Sequence, residues 1–402
     1  MYCEVMLSPY KAFQISDSVF WVGAKDVGRR LFDALIPLPR GTSYNSYLVL
    51  DRDQVALVDT VNPGFENDLI ERVSSVIDPR DLNYVIMNHA EPDHAGAIPL
   101  VLKTSSNAKL VTTPTGARMA KIFYSISNDR IHVVRDGDSI DLNGKTLKFL
   151  ETPMLHWPET MFTYLMEDGV LFPCDFFGSH IAQGMWDDEV DDLLIHAQRY
   201  FGEIMMPFRI SALNALKKIS SLNIRMIAPS HGPIYRNPGK IIESYWRWAS
   251  GETREKVVIL YVSMWRYTES VVKVLVDELQ SWGVSTVVHD VAAADLGDIA
   301  KDLVDSRAIV VATPTVIANA HPLAVHVAYL AGLLKAPAKY AALVILYAWS
   351  SVADKQLIEI LKDTKVELIG VVKINVTPSK NDIESLKNLA KELSMKIMGR
   401  KQ

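Results

Sequence analysis

The sequence predicts a two-domain α/β chain, and three observations carry that expectation. The first half is dense in short apolar strands set apart by turn residues. The second half alternates apolar strands with helical stretches at regular intervals. Between them lies a short, polar, glycine-containing run, Ala249-Ser250-Gly251-Glu252-Thr253-Arg254-Glu255, a natural hinge. A length of 402 residues favours two or three domains over one. Hydrophobic residues at 49% and charged residues at 22% can bury sizeable cores.

Taken in order, residues 46–50 and 55–59 read as adjacent strands joined across Asp51-Arg52-Asp53, with the small polar stretch Gly41-Thr42-Ser43-Tyr44-Asn45-Ser46 leading in. The apolar run Tyr84-Val85-Ile86-Met87 reads as a buried strand. Residues 97–103 are helical, 109–112 a strand and 117–124 a helix. Strands return at 131–134, 147–150, 161–166 and 170–172, with Asn143-Gly144 and Glu167-Asp168-Gly169 as turns. Residues 191–222 are mainly helical, interrupted near Pro207, and 224–228 is one more strand. Beyond the hinge, strands at 257–262, 286–291, 308–312, 342–347 and 369–374 alternate with helices at 269–282, 296–305, 324–334, 354–362 and 382–396. Five such pairs make a doubly wound sheet, whose ligand sites lie at the carboxyl ends of its strands.

Several function classes are excluded. A net charge of −5, with its 42 basic residues scattered, leaves no footprint for nucleic acid. No charged leader precedes an apolar run at the amino end and no stretch is long enough to span a bilayer, so a cytoplasmic protein with no membrane partner is expected. Cys3 and Cys174 are the only cysteines, which rules out a disulfide framework or a CxxC centre; any metal must be held by His and carboxylate.

The chemistry centres on Met87-Asn88-His89-Ala90-Glu91-Pro92-Asp93-His94, where two imidazoles and two carboxylates follow a strand. Spacings of two, two and one, with Pro92 interrupting, suit a loop wrapped around an ion better than a helix. Nitrogen with carboxylate oxygen is a set for iron, manganese or zinc. Taken alone, the segment is also compatible with a polar turn that happens to hold two histidines. Three further positions follow strands in the same half: His156 after 147–150, Asp175 after 170–172 and His231 after 224–228. Sheets deliver separate strand ends to one rim, so these four sites point to a metal centre.

In the second half, Ser263-Met264-Trp265-Arg266-Tyr267-Thr268 follows the first strand and opens a helix, where hydroxyls and backbone amides can cradle a phosphate. It is not the GxGxxG of a dinucleotide fold.

Together, His89-x-Glu91-x-Asp93-His94 with His156, Asp175 and His231 resembles the metallo-β-lactamase fold in its flavodiiron version. The resemblance extends over Arg40-Gly41-Thr42-Ser43-Tyr44-Asn45 and His156-Trp157-Pro158-Glu159-Thr160-Met161, and over essentially the whole chain. It implies a metallo-β-lactamase-like αββα sandwich over residues 1–250 and a flavodoxin-like, doubly wound, five-stranded parallel sheet over 254–402. It also implies two irons: one held by His89, Glu91 and His156, the other by Asp93 and His231, with Asp175 bridging. His94 is a ligand in some members and displaced in others. Zinc hydrolases of the fold typically carry His where Glu91 stands, and the carboxylate suits iron better. Trp157, His180 and Tyr200 resemble outer-layer positions. A histidine that some members carry near Phe32-Asp33 is absent.

The Ser263–Thr268 loop is similar to the phosphate loop of flavodoxins, whose next two loops face the ring of FMN. Those correspond to Thr313-Pro314-Thr315-Val316-Ile317-Ala318-Asn319 and Tyr347-Ala348-Trp349-Ser350. Departures occur at Arg266-Tyr267, where glycine-containing variants are common, and at Ala348 and Ser351, where glycines are frequent. The family's activity implies an oxidoreductase reducing dioxygen to water, nitric oxide to nitrous oxide, or both. Electrons would pass through FMN from an external donor, a rubredoxin-like protein or a reduced deazaflavin coenzyme, since no donor module follows near Gln402. A head-to-tail homodimer, or a dimer of dimers, is the expected assembly. Two other readings are a zinc metallo-β-lactamase-type hydrolase with a fused flavodoxin domain, and a flavodoxin-like electron carrier whose first half is a dimerisation scaffold.

Overall fold

The computed structural model describes residues 10–52 and 54–399 and divides into two compact units. One runs to Ala197 and resumes over Ile210–Trp246; the other comprises Gln198–Arg209 and everything from Arg247 onward. The expected border between 250 and 254 is therefore displaced. Helix Gly239–Ser250 runs through the first part of the hinge and strand Arg254–Tyr261 begins inside it, leaving only residues 251–253 between them. Gly251 makes this short connection at φ +73°, a left-handed conformation that side-chain-bearing residues rarely adopt.

Among the described residues the first unit holds two large sheets and two short two-stranded ones, Ala24–Asp26 with Thr42–Tyr44 and Leu31–Phe32 with Ile36–Pro37. Seven strands lie side by side in chain order: β1 (Phe13–Ser16), β2 (Val19–Trp21), β3 (Tyr47–Asp51), β4 (Gln54–Val58), β5 (Tyr84–Ile86), β6 (Lys109–Thr112) and β7 (Ile131–Val133). Pairing is antiparallel up to β4 and parallel beyond it. The second sheet orders β8 (Ser139–Asp141), β9 (Thr146–Glu151), β10 (Met161–Leu165), β11 (Val170–Phe172) and β12 (Met226–Ile227). Side-chain alternation along each strand builds the layers. Tyr47 and Val49 of β3 join Phe149, Met161 and Phe172 in the core between the sheets. Leu48, between them in sequence, turns to the opposite face, where Leu69, Ile98 and Val101 pack from helices Glu66–Ser74 and Ile98–Thr104.

The second unit is a parallel sheet: β13 (Arg254–Tyr261), β14 (Ser285–Asp290), β15 (Ser306–Val316), β16 (Tyr340–Tyr347) and β17 (Glu367–Asn375), in the spatial order β14-β13-β15-β16-β17. The order reverses at β13, so the crevice for a ligand opens at the carboxyl ends of β13 and β15.

Two local expectations change. Pro92 does not interrupt a loop but begins a helical turn, Pro92–Ala95, because proline at the first helical position lacks only an N–H that has no partner there. The strand expected at 308–312 runs on to Val316, since the extended Thr315 and Val316 form a small hairpin with Asn319–Ala320 across Ile317 and Ala318 at positive φ. The interruption expected near Pro207 is present: the region divides into Leu193–Tyr200, a π turn at Phe201–Met205, a 3₁₀ turn at Met206–Phe208 and Arg209–Ile219. Helix Glu66–Ser74 and strands β1 and β2 lie outside the elements read from the sequence. No helix among the described residues is long and apolar enough to cross a membrane.

Candidate metal centre and strand-end cleft

Four strands of the first unit deliver the candidate ligands: β5 leads into His89, Glu91, Asp93 and His94, β9 toward His156, β11 into Asp175 and β12 into His231. All seven side chains converge. His89 Nε2 lies 3.0 Å and His156 Nε2 3.2 Å from Glu91 Oε2. Asp175 Oδ2 faces the same group, 3.6 Å from His89 and 3.4 Å from His156. Its other oxygen, Oδ1, stands 2.9 Å from His94 Nε2 and 3.3 Å from His231 Nε2. Asp93 completes that second group, 3.2 Å from His231 and 3.4 Å from His94. Each oxygen of Asp175 thus serves a different cluster. Ligand atoms about 2.1 Å from one metal sit about 3.0 to 3.4 Å from one another, so these spacings fit a metal in each group. His94, the least settled position in the sequence, is placed squarely in the second.

Electrostatics favours cations here. Asp93 and Asp175 are buried, yet none of their four carboxylate oxygens makes a hydrogen bond, nor does either ring nitrogen of His94. Buried carboxylates left so are costly, and a metal between them removes the cost. Burial opposes protonation of His89, but hydrogen bonds to Glu159 and Glu91 outweigh it and raise the imidazole to about 9. Burial is likewise outweighed at His94, raised to about 9 by Asp175 and Asp93, and at His156, raised to about 10 by Asp175 and Glu91. Glu91 and Asp175 are held below the ordinary carboxylate range, burial being overcome by their histidines. The acids draw positive charge onto the imidazoles, and metal ions would take over that charge.

Behind the cluster, His89 Nδ1 donates to Glu159 Oε1 at 2.6 Å and His231 Nδ1 to the Ser43 carbonyl at 2.6 Å, which directs both Nε2 lone pairs inward. Trp157 meets His89 edge to face at 5.0 Å. His180 hydrogen-bonds Thr42 at 2.9 Å and lies 4.8 Å from the His231 ring, with Phe32 5.0 Å from His180. Tyr200 is buried, but at the head of the segment assigned to the second unit. Two contributors were not singled out from the sequence. Glu159 lies within the stretch His156–Met161 that resembles the family, and no local pattern marks it out. Asp59, at the end of β4 with φ +54°, accepts from the Asn88 N–H at 2.9 Å and Nδ2 at 3.0 Å, anchoring the residue before His89. Burial pushes its carboxyl up to about 6. Its place just past a strand end was the available signal.

In the second unit, Met264, Trp265, Tyr267 and Thr268 line a cavity of about 260 Å³ with Pro314, Thr315, Tyr347, Ala348 and Trp349. Leu346 and Val376 also line it; Val376, just after β17, could have been reached by the same strand-end reasoning. Trp265 is 78% and Trp349 82% exposed, so neither ring is a core aromatic. Arg266 takes φ +66° at the start of helix Tyr267–Ser281 and pairs with Glu269, while Ser263 Oγ accepts the Glu269 N–H at 3.4 Å. Thr313 is turned to structure: its hydroxyl accepts the His321 N–H at 3.1 Å and donates to the Pro314 carbonyl. Ser263, Arg266, Val316, Ile317, Asn319 and Ser350 border the strand-end loops without lining the cavity. An apolar cavity lined by two indoles, beside a helix start rich in hydroxyls, suits an aromatic ring joined to a phosphate. FMN has that shape.

Comparison with known proteins gives the family. Residues 42–232 match the family described as "ODP family beta lactamase". A nitric oxide reductase of Moorella thermoacetica is 37% identical over 95% of this chain and 98% of its own. Two solved structures superpose over 97% of this chain at 28% identity. One is the rubredoxin oxygen:oxidoreductase of Desulfovibrio gigas, with a TM-score of 0.93 over 99% of its length. The other is the flavodiiron protein of Giardia intestinalis, at 0.92 over 97%. The chain accordingly belongs to the flavodiiron proteins, oxidoreductases that carry FMN and a diiron centre.

Proposed function

We propose that this protein reduces a diatomic molecule, nitric oxide to nitrous oxide or dioxygen to water, at the diiron centre. Electrons enter through FMN from an external donor, a rubredoxin-like protein or a reduced deazaflavin coenzyme. The observation that carries this reading is the division of Asp175, one oxygen toward His89, Glu91 and His156 and the other toward Asp93, His94 and His231. In the proposal the first three hold one iron, the second three the other, and Asp175 bridges. When bound, the irons and FMN supply the redox chemistry. The chain supplies the rest. Carboxylates make both positions oxygen-rich, and burial of His89, Asp93, His94, Asp175 and His231 excludes bulk water. The partly exposed Glu91 and His156 mark the side from which a small molecule enters. The loops carrying Trp265 and Trp349 hold the flavin, and their exposed faces suit a head-to-tail homodimer.

The zinc-hydrolase reading is not favoured: the relatives are oxidoreductases, and Glu91 stands where zinc hydrolases typically carry histidine. The test is anaerobic reduction of iron- and FMN-loaded protein followed by parallel stopped-flow mixing with dioxygen and with nitric oxide. Rapid reoxidation with one or both gases, lost when iron is omitted but FMN kept, is expected. Equal rates without iron, or two bound zincs and no redox-active iron in the purified protein, would refute the proposal.

A further inference from the structure

Residues 198–209 group with the second unit, although the chain enters and leaves them from segments grouped with the first. The π turn of this arm, Phe201–Met205, lies against helix Leu296–Leu303, and two glycines let the backbones close. A Cβ at Gly202 would come within 2.6 Å of the Ala300 carbonyl, and one at Gly297 would strike Glu203 Oε1 and the Arg199 guanidinium. Arg199 bridges the seam. Its Nε donates to Glu203 Oε1 at 2.9 Å and its Nη2 to Asp295 Oδ1 at 2.8 Å, while Nη1 stands 3.5 Å from Asp298 Oδ1. Gln198 Nε2 adds a bond to the Lys301 carbonyl at 3.2 Å.

Three carboxylates thus converge on one guanidinium. Asp295 and Asp298 keep their charges in contact with water, their side chains being 26% and 48% exposed, and Lys301 pairs with Asp298 at 3.1 Å. The Glu203 side chain is 3% exposed and shares its only hydrogen-bonded cation with Asp295. A carboxylate so placed sheds its charge by taking a proton. Burial is the largest influence, Arg199 offsets part of it, and Asp295 and Asp298 push the same way as burial, which lifts the carboxyl to about 8. Among the described residues, the charged groups facing Glu203 are Arg199 from its own segment and Asp295 and Asp298 from the start of the opposing helix, with Lys301 behind Asp298.

We propose that Glu203 is a pH-sensitive latch: protonated, it lets the arm of residues 198–209 dock on helix Leu296–Leu303, and on losing its proton it loosens that docking. Between the ordinary glutamic value of about 4.3 and about 8, the docked arm holds a proton that the open arm releases. Docking therefore weakens as pH rises through that window, by up to about tenfold per unit, and levels off above it.

The test is hydrogen exchange on the iron- and FMN-loaded, oxidised protein from about pH 6 to about pH 9, each amide corrected for its intrinsic rate. Protection over residues 198–209 should fall about 10- to 100-fold up to about pH 8 and then level off, while the buried strand amides of Val257–Leu260 hold theirs. Protection of the arm that does not change with pH overturns the proposal. So does an equal loss in the strand, because the whole unit and not the arm would then be opening. Glu203→Gln keeps the size and removes the titration, and protection of its arm should be the same at every pH; the unaltered slope in this variant overturns the proposal. Should the variant not fold, Asp295→Asn decides. Asparagine still caps helix Leu296–Leu303, and the lost charge leaves Arg199 to Glu203, so the fall in protection should move to lower pH. A fall at the same or a higher pH overturns the proposal.

Discussion

Asp175 concentrates the chemistry of the first unit in one side chain, because each of its oxygens faces a different pair of imidazoles. Asp175→Ala should therefore empty both positions, dropping iron per protomer toward zero by elemental analysis, whereas loss of one iron alone would show that the two groups are independent. Asp59 acts at one remove. Its folded carboxyl lies at about 6, above the ordinary value near 4, because burial disfavours the charge. The native state then binds more protons than the unfolded state between those values, so metal-free protein should lose stability as pH rises from about 4 to about 6. The total is on the order of 2 to 3 kcal/mol. Asn tolerates the left-handed backbone at this position, and Asp59→Asn should flatten that part of the melting profile.

Short elements hold the candidate ligands in register. The turn Pro92–Ala95 carries Asp93 and His94, and Gly96 follows it where a Cβ would come within 2.5 Å of the Pro92 carbonyl and 2.6 Å of the Pro63 ring. Gly96→Ala should destabilise the protein by about 1 to 3 kcal/mol and lower iron occupancy, measured together by thermal melts and metal analysis. In the second unit, the loops after β13 and β16 present Trp265 and Trp349 to solvent at the ends of strands that are otherwise buried. Aromatic stacking contributes about 0.5 to 1.5 kcal/mol per ring, so Trp349→Ala should weaken FMN binding roughly 2- to 10-fold in a flavin-fluorescence titration. An unchanged affinity would show that the indole does not touch the ring.

At the scale of the whole chain, the candidate metal ligands and the loops proposed to hold the flavin belong to different units, so the two cofactors should stabilise different transitions. Calorimetry of the metal-free, flavin-free protein should show iron raising one transition and FMN the other; a single transition raised equally by both would contradict this. Sedimentation at micromolar concentration should give an even-numbered oligomer, and a monomer would argue against the head-to-tail assembly.

The sequence by itself determined the α/β class, the parallel sheet of the second half and the seven candidate ligands whose side chains converge. Strand-then-polar patterns are local, and the rule that strand ends share a rim is general. Tertiary structure decided what depends on approach between distant segments. It decided that Pro92 opens a helical turn, and that residues 198–209 group with the second unit rather than the first. It brought His94 to 2.9 Å from Asp175 and set Glu159 behind His89. Glu159 and His89 are separated by 70 residues. No periodicity records such a contact, because it is made by the register of strands folded against one another and not by any pattern along the chain.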